Sequence, residues 1–181
     1  KILLQNKWII LLFILLVLLV FYYYQTTNKS KIDIVYTWVD SNDPKWLKTK
    51  QKYKNNKNTN NDGITNNRFR ELNELKYSLR SIETYAPWVN NIYIVVADGQ
   101  RPKWLNLNHP KIHLVNHSEI FPDKSHLPTF NSQAIECHLH NIPGLTEHFI
   151  YFNDDMFFGN NVTPREFISD DNKLYYHKTW W

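Results

Sequence analysis

His148-Phe-Ile-Tyr-Phe-Asn-Asp-Asp-Met-Phe-Phe-Gly159 sets the terms for reading this chain. Phe149 to Phe152 are apolar or aromatic and Asn153 closes the run, which is the composition of a buried strand. Two adjacent carboxylates, Asp154 and Asp155, follow at its C-terminal end. Open α/β sheets bind ligands at that edge. Paired carboxylates there are oxygen ligands for a hard cation such as Mg2+ or Mn2+. Asn-Asp-Asp is also good turn chemistry after any strand, so the pair alone leaves a metal site and a plain turn both open.

Upstream of this stretch, strand and helix patterns alternate. Ile32 to Val39 is β-branched and aromatic, a strand that ends at Asp40 and the turn Ser41 to Pro44. Lys45 to Lys54 reads as a short basic helix, and the Asn-rich run 55–67 as a flexible loop. Phe69, Leu72, Leu75, Leu79 and Ile82 recur at spacings of three and four. That periodicity predicts an amphipathic helix from about Arg68 to Tyr85, with Asn67 as its cap and Pro87 as its stop. Asn91 to Ala97 is a second strand ending at Asp98-Gly99, Pro102 to Leu107 a helical turn, and Lys111 to Asn116 a third strand. Asn131 to Ile142 is a further helix with Ile135, Leu139 and Ile142 on one face. The alternation predicts an α/β layered domain with a mainly parallel sheet. Right-handed crossovers then bring Asp40, Asp98, Asp154 and Asp155 to one edge.

The glycines are four, Gly63, Gly99, Gly144 and Gly159, and none forms a phosphate-cradling loop. A metal is then the main phosphate binder, with Arg70, Arg80 and Arg101 as phosphate ligands or as ordinary solvated surface groups. Ser125 to Asn131 is a long connection, and long connections carry function. Its His126 is an acid/base candidate or an exposed loop histidine. Cys137 is the single cysteine, so no disulfide forms within the chain. No Gly-x-Ser-x-Gly turn supports acyl chemistry.

The 181 residues suffice for one domain with a core, and the net charge of +4 is mild. No basic, aromatic stripe favours nucleic acid as a partner. Trp8 to Tyr24 is an unbroken run of 17 apolar or aromatic residues, read as a transmembrane helix with interfacial aromatics. A signal-peptide core is the rival, and Tyr-Tyr-Tyr-Gln-Thr-Thr makes a poor cleavage site. The expected organisation is a tail at 1–7, the span at 8–24, a linker at 25–31 and the α/β domain at 32–181. The anchor implies a single-pass, type II placement. Beginning at Lys1 and ending on Trp180-Trp181 without a closing element, the chain reads as the amino-terminal part of a longer protein.

Ile32-Asp-Ile-Val-Tyr-Thr-Trp-Val-Asp40 with Asn42-Asp-Pro44 resembles the first motif of the Stealth family of sugar-1-phosphotransferases. Arg68 to Ile82, Ala86 to Val89, Asp98-Gly-Gln100, Ser125 to Phe130, Ile142 to Leu145 and Phe152 to Asp155 are similar to its second, in order. Ser125 to Phe130 is particularly similar to the N-acetylglucosamine-1-phosphotransferase branch.

The resemblance implies a Rossmann-like, nucleotide-sugar-transferase-like fold. It also implies transfer of a sugar 1-phosphate from a UDP-sugar to a hydroxyl of a glycan or glycoprotein acceptor, with UMP leaving. It gives Asp154 and Asp155 the metal role, with Mg2+ or Mn2+, and makes them catalytic together with Asp40. Arg80, Asp98, Gln100, His126, Thr129 and Asn153 become substrate-binding candidates. A Golgi location with the domain in the lumen, and room for a homo-oligomer, complete the expectation. A metal-dependent glycosyltransferase releasing UDP, or a truncated sugar-binding module, are the alternatives. Ser41 stands where the family usually has Gly, Asn73 where an acidic position is common, and further family motifs lie downstream of these two.

Overall fold

The computed structural model describes residues 2–27, 31–55 and 72–176. The chain divides into two units, Lys1–Ser30 and Lys31–Trp181. The first holds one helix, α1 (Ile2–Thr27). Among the described residues no helix is long and apolar enough to cross a membrane. The transmembrane helix expected over residues 8–24, and the membrane contact it implied, are corrected accordingly.

The second unit is an α/β layer structure. Its strands are β1 (Ile32–Trp38), β2 (Ile92–Val96), β3 (Ile112–Asn116) and β4 (His148–Asn153). They form one sheet in the order β3-β2-β1-β4, with every neighbouring pair parallel. Its helices are α2 (Pro44–Asn55), α3 (Glu74–Tyr85), α4 (His117–Ile120) and α5 (Ser132–Glu136). Single 3-10 turns occur at Lys124–His126, Leu139–Asn141 and Pro164–Glu166.

The period of two along β1 and β2 splits the core into two layers. Ile34, Tyr36, Trp38, Ile92, Ile94 and Val96 face α3, where Leu75 and Ile82 meet them. Val35, Tyr93 and Val95 face the other way, onto Ile120, Phe121, Leu139 and Ile142. Both faces of the central strands are covered, so they read as near-continuous apolar runs. Each fully buried aliphatic side chain there contributes about 1.5–3 kcal/mol.

One charged residue interrupts the run. Asp33 is completely buried on β1. Its Oδ1 accepts from Asn90 Nδ2 at 2.8 Å and from the Asn91 amide at 2.9 Å, and its Oδ2 accepts from the Thr146 amide at 2.8 Å. The carboxylate thereby ties the segments entering β2 and β4 to the start of β1.

Four sequence expectations shift. The strand expected to be buried, β4, lies at the sheet edge, and Phe152 is its one buried residue; an edge strand has a single neighbour. The helix expected over 131–142 breaks into α5 and the 3-10 turn at Leu139–Asn141. Residues three apart eclipse in 3-10 geometry, and Leu139 and Ile142 are both buried in this way. Pro102 to Leu107 forms turns rather than a helix. Helix α3 begins at Glu74, after Asn73 at φ 64, which leaves Leu72 outside it and 54% exposed. Asn67, Arg68 and Arg70 lie outside the described residues.

Candidate active site

The C-terminal ends of the four parallel strands share one edge of the sheet. The strand order places the topological switch between β1 and β4: the chain leaves β1 toward β2 and β3, and returns to the far side of β1 as β4. Ligands bind at such a switch in open α/β sheets. Thr37 pairs with Asn153 across it, so the turns that carry Asp40 on one strand and Asp154-Asp155 on the other flank the same crevice.

The turn after β1 is fixed by Gln100, which is 6% exposed. Its Oε1 accepts from the Asp40 amide at 3.0 Å, and its Nε2 donates to the Asp40 carbonyl at 2.9 Å. The same Nε2 donates to Asp43 Oδ2 at 3.2 Å. Gln100 is brought there by a tight turn in which its amide donates to the Ala97 carbonyl at 2.9 Å. Gly99, at φ +84, occupies the turn position that side chains rarely adopt. Gln100 therefore spends both ends of its amide on the β1 turn, and its role is positioning. The Asp40 carboxylate is half-buried and accepts from the Asn42 amide at 2.9 Å. Asp43 accepts from the Lys45 amide at 2.9 Å at the start of α2. The Gln100 hydrogen bond, followed by the Lys45 amide, holds the Asp43 carboxyl below the usual carboxylate range.

Between these turns lies a cleft of about 100 Å³. One wall is Trp46 and Thr49 of α2 with Lys45 at its start. The exit of β2 contributes Ala97, Asp98 and Gln100, α4 contributes His117, and the long loop contributes Pro128, Thr129 and Phe130. Trp46 and Phe130 meet edge to face, with ring centroids 5.5 Å apart. Asp98 Oδ1 accepts from the Ser118 amide at 3.3 Å and from the Ser118 hydroxyl. His117 is buried, and burial pushes its imidazole pKa down against the opposing pull of the Asp98 charge. The ring is therefore neutral at pH 7.

At the β4 end, the Tyr151 hydroxyl donates to Asn153 Oδ1 at 2.9 Å and so accepts from Thr37 Oγ1, also at 2.9 Å. Burial, joined by the charges of Glu136 and Asp154, raises the Tyr151 pKa against the Thr37 hydrogen bond. Asp154 is half-buried and Asp155 exposed, in the turn that follows. The chain beyond them is pinned to α3. The Tyr36 hydroxyl lies 2.5 Å from Ser78 Oγ, and Ser78 Oγ donates to the Met156 carbonyl. Ser81 Oγ accepts from the Phe158 amide at 3.0 Å. Among the described residues no group of three or more His, Cys, Asp and Glu is disposed to hold a metal ion.

Of the residues singled out from sequence, Asp98, Gln100 and Thr129 meet in the cleft and Asp40 is clasped at its border. Asn153, Asp154 and Asp155 stand at the neighbouring strand end. Two lie elsewhere. The Arg80 guanidinium sits over the exposed Tyr77 ring at 5.6 Å. The His126 imidazole is exposed and 3.8 Å from Asp123, outside the cleft lining. Sequence reasoning missed Asp43, Lys45, Trp46, His117 and Phe130. His117 was within reach of it: a residue directly after β3 lies on the same edge as Asp98.

A parallel α/β domain with carboxylates and a cleft along its C-terminal edge has the architecture in which open α/β sheets bind ligands. Residues 30–58 match the model of Stealth protein CR1, conserved region 1, and residues 68–176 that of Stealth protein CR2, conserved region 2. The chain belongs to the Stealth family. It is 52% identical over 137 residues to an exopolysaccharide phosphotransferase of Streptomyces coelicolor, covering 76% of this chain and 23% of that protein. A capsular polysaccharide phosphotransferase of Neisseria meningitidis is 52% identical over 140 residues, 76% of this chain and 38% of that protein. One of Streptococcus pneumoniae is 45% identical over 143 residues, 78% of this chain and 42% of that protein. The chain thus spans less than half the length of each of these three relatives.

Proposed function

We propose that this chain forms the donor-binding part of a sugar-1-phosphotransferase. The donor is a UDP-sugar, UDP-N-acetylglucosamine in the first instance, and the acceptor is a hydroxyl of a polysaccharide or other glycan. The acceptor oxygen bonds to the phosphorus that carries the sugar oxygen. The bond from that phosphorus to UMP breaks, and the acceptor proton is lost to base. The product is a sugar linked through its 1-phosphate to the acceptor. Such transfers depend on positioning and charge neutralisation more than on covalent help from the protein.

The observation that carries this reading is the placement of Asp40 and Asp154-Asp155 on opposite sides of the β1/β4 switch. The phosphotransferase names of relatives at about half identity support the same chemistry.

Asp154 and Asp155 are the residues assigned to a divalent ion, Mg2+ or Mn2+. Among the described residues no third His, Cys, Asp or Glu joins this pair, and two adjacent carboxylates suit Mg2+, which keeps several waters and relies on substrate phosphates for the rest of its shell. When bound, the ion screens the pyrophosphate charge. The chain's own residues orient the parts. Gln100 fixes the Asp40 turn, Ser78 and Ser81 hold the backbone after Asp155, and Lys45 adds a cation at the cleft wall.

The test is the nucleotide product of the intact protein given UDP-N-acetylglucosamine, Mg2+ and a glycan acceptor. UMP is the expected product; stoichiometric UDP would assign the protein to glycosyl transfer instead.

A further inference from the structure

The transfer chemistry above uses the carboxylates that flank the β1/β4 switch and leaves unused a chain of hydrogen bonds that crosses it. Successive side chains of a strand point to opposite faces. Thr37 therefore shares a face with Val35, and Asn153 with Tyr151. Val35 and Tyr151 belong to the same core layer, so all four stand on one side of the sheet. There the Tyr151 hydroxyl lies 2.9 Å from Thr37 Oγ1 and 2.9 Å from Asn153 Oδ1.

Proton accounting gives this chain a direction. A phenol has one proton, and burial raises the Tyr151 pKa, so the proton is in place at pH 7. It is donated to Asn153 Oδ1. The Thr37 hydroxyl is then the donor to the Tyr151 oxygen. An asparagine amide carries one acceptor oxygen and one NH2 with two donors. With Oδ1 taken by the phenol, the group Asn153 has left to offer is its NH2. Asn153 is exposed, and no described hydrogen bond uses Nδ2.

This polarity matters at the switch. Asp154 and Asp155, next in the chain, are acceptors when ionised. A phosphate oxygen arriving beside them needs a donor, and the Asn153 NH2 is one. Turned the other way round, the same amide would present a third acceptor there. The two arrangements have nearly the same shape, so the partner of Oδ1 decides between them. That partner is Tyr151.

We propose that Tyr151 is a positioning residue for the transfer: by holding Asn153 Oδ1 it presents the Asn153 NH2 to an oxygen of the donor's pyrophosphate. This rests on the UDP-sugar reading above and adds to it a residue that acts through Asn153.

The experiment is a double-mutant cycle on the intact protein. Nucleotide release from UDP-N-acetylglucosamine is followed with Mg2+ and a glycan acceptor, counting UMP and UDP together. Tyr151→Phe should lower kcat/KM about fivefold, the factor of one net hydrogen bond. Asn153→Ala should lower it by between about tenfold and 150-fold, the range for a hydrogen bond to a charged group. In the Asn153→Ala background Tyr151→Phe should change kcat/KM by less than about twofold, since no amide is left to hold. Asn153→Asp still accepts the phenol proton but has no N–H to give, so it should be as poor as Asn153→Ala. Urea unfolding establishes that each variant folds.

A tyrosine that only braces the sheet would cost the same factor with or without Asn153, and that result overturns the assignment. So does an unchanged kcat/KM in Tyr151→Phe. An active Asn153→Asp also overturns it, because Oδ1 would then be the atom the ligand meets, with the phenol proton given to Glu136, whose charge acts on Tyr151. Failure here is separable from failure of the transfer reading. Coupled variants with UDP as the product keep the role of Tyr151 and lose sugar-phosphate transfer. Independent variants with UMP as the product do the reverse.

Discussion

Ser78→Ala removes one oxygen from the middle of a three-part relay. The Tyr36 side chain is completely buried, and Ser78 Oγ, 2.5 Å away, is its hydrogen-bond partner. Ser78 in turn donates to the Met156 carbonyl, one residue past Asp155. Because the serine proton goes to Met156, the phenol donates to the serine. Truncation strands a buried O–H, which costs about 1–3 kcal/mol. The Met156 carbonyl belongs to a residue 45% exposed, so water replaces its lost donor at little further cost. The expected loss is about 2 kcal/mol. Tyr36→Phe removes the phenol and leaves the Ser78–Met156 bond in place, at about 1 kcal/mol. In the Tyr36→Phe background, Ser78→Ala strands nothing, so the double-mutant cycle should show a coupling of about 1 kcal/mol. Urea unfolding followed by tryptophan fluorescence, with m held common, reads all four proteins. A Ser78→Ala cost below about 0.5 kcal/mol, or a coupling of zero, would refute the relay.

Further outcomes follow from the same geometry. Asp154→Ala or Asp155→Ala in the intact protein should lower metal-dependent turnover at least tenfold; unchanged turnover across a Mg2+ titration removes them from the metal site. Asp33→Ala leaves three N–H donors without their carboxylate and should cost about 3 kcal/mol or more in urea unfolding. His117 has its pKa lowered in the fold from 6.5, so the unfolded state takes up the proton first. Its contribution is present above pH 6.5 and is lost as pH falls through the folded value. Stability measured from pH 7 to pH 5 should therefore fall, and His117→Phe should flatten that slope. The carboxylates with lowered values titrate from 3.8 downward, below this window.

The strands were legible because their residues satisfy local and tertiary preferences together. Apart from Asp33, Ile32 to Trp38 is β-branched and aromatic, and it proves to be an interior strand with both faces covered. The shared edge for Asp40, Asp98 and Asp154 follows from the parallel, right-handed rule, and the parallel pairing bears it out. What periodicity alone does not supply is strand order. Phe149 to Phe152 reads as a buried run, yet its place outside β1 leaves most of it half-buried. Helix α4 is too short for periodicity to register. Its Asn116-x-x-Glu119 capping box is nevertheless written in the sequence and is formed in the fold. The aromatic wall was illegible for another reason. Trp46 and Phe130 are 84 positions apart, and only the packing of the long loop against α2 brings them together. Gln100 was recognised as a site residue, but its role changes, since its amide is committed to Asp40 and Asp43.

The central claim concerns which bond of the donor breaks, and it is tested most directly by following one phosphorus. The intact protein is given UDP-N-acetylglucosamine labelled with 32P in the phosphate next to the sugar, together with Mg2+ and a glycan acceptor. Sugar-phosphate transfer predicts that the label moves to the acceptor, mole for mole with unlabelled UMP. Label that stays with the nucleotide, as UDP, while the sugar alone moves would contradict it.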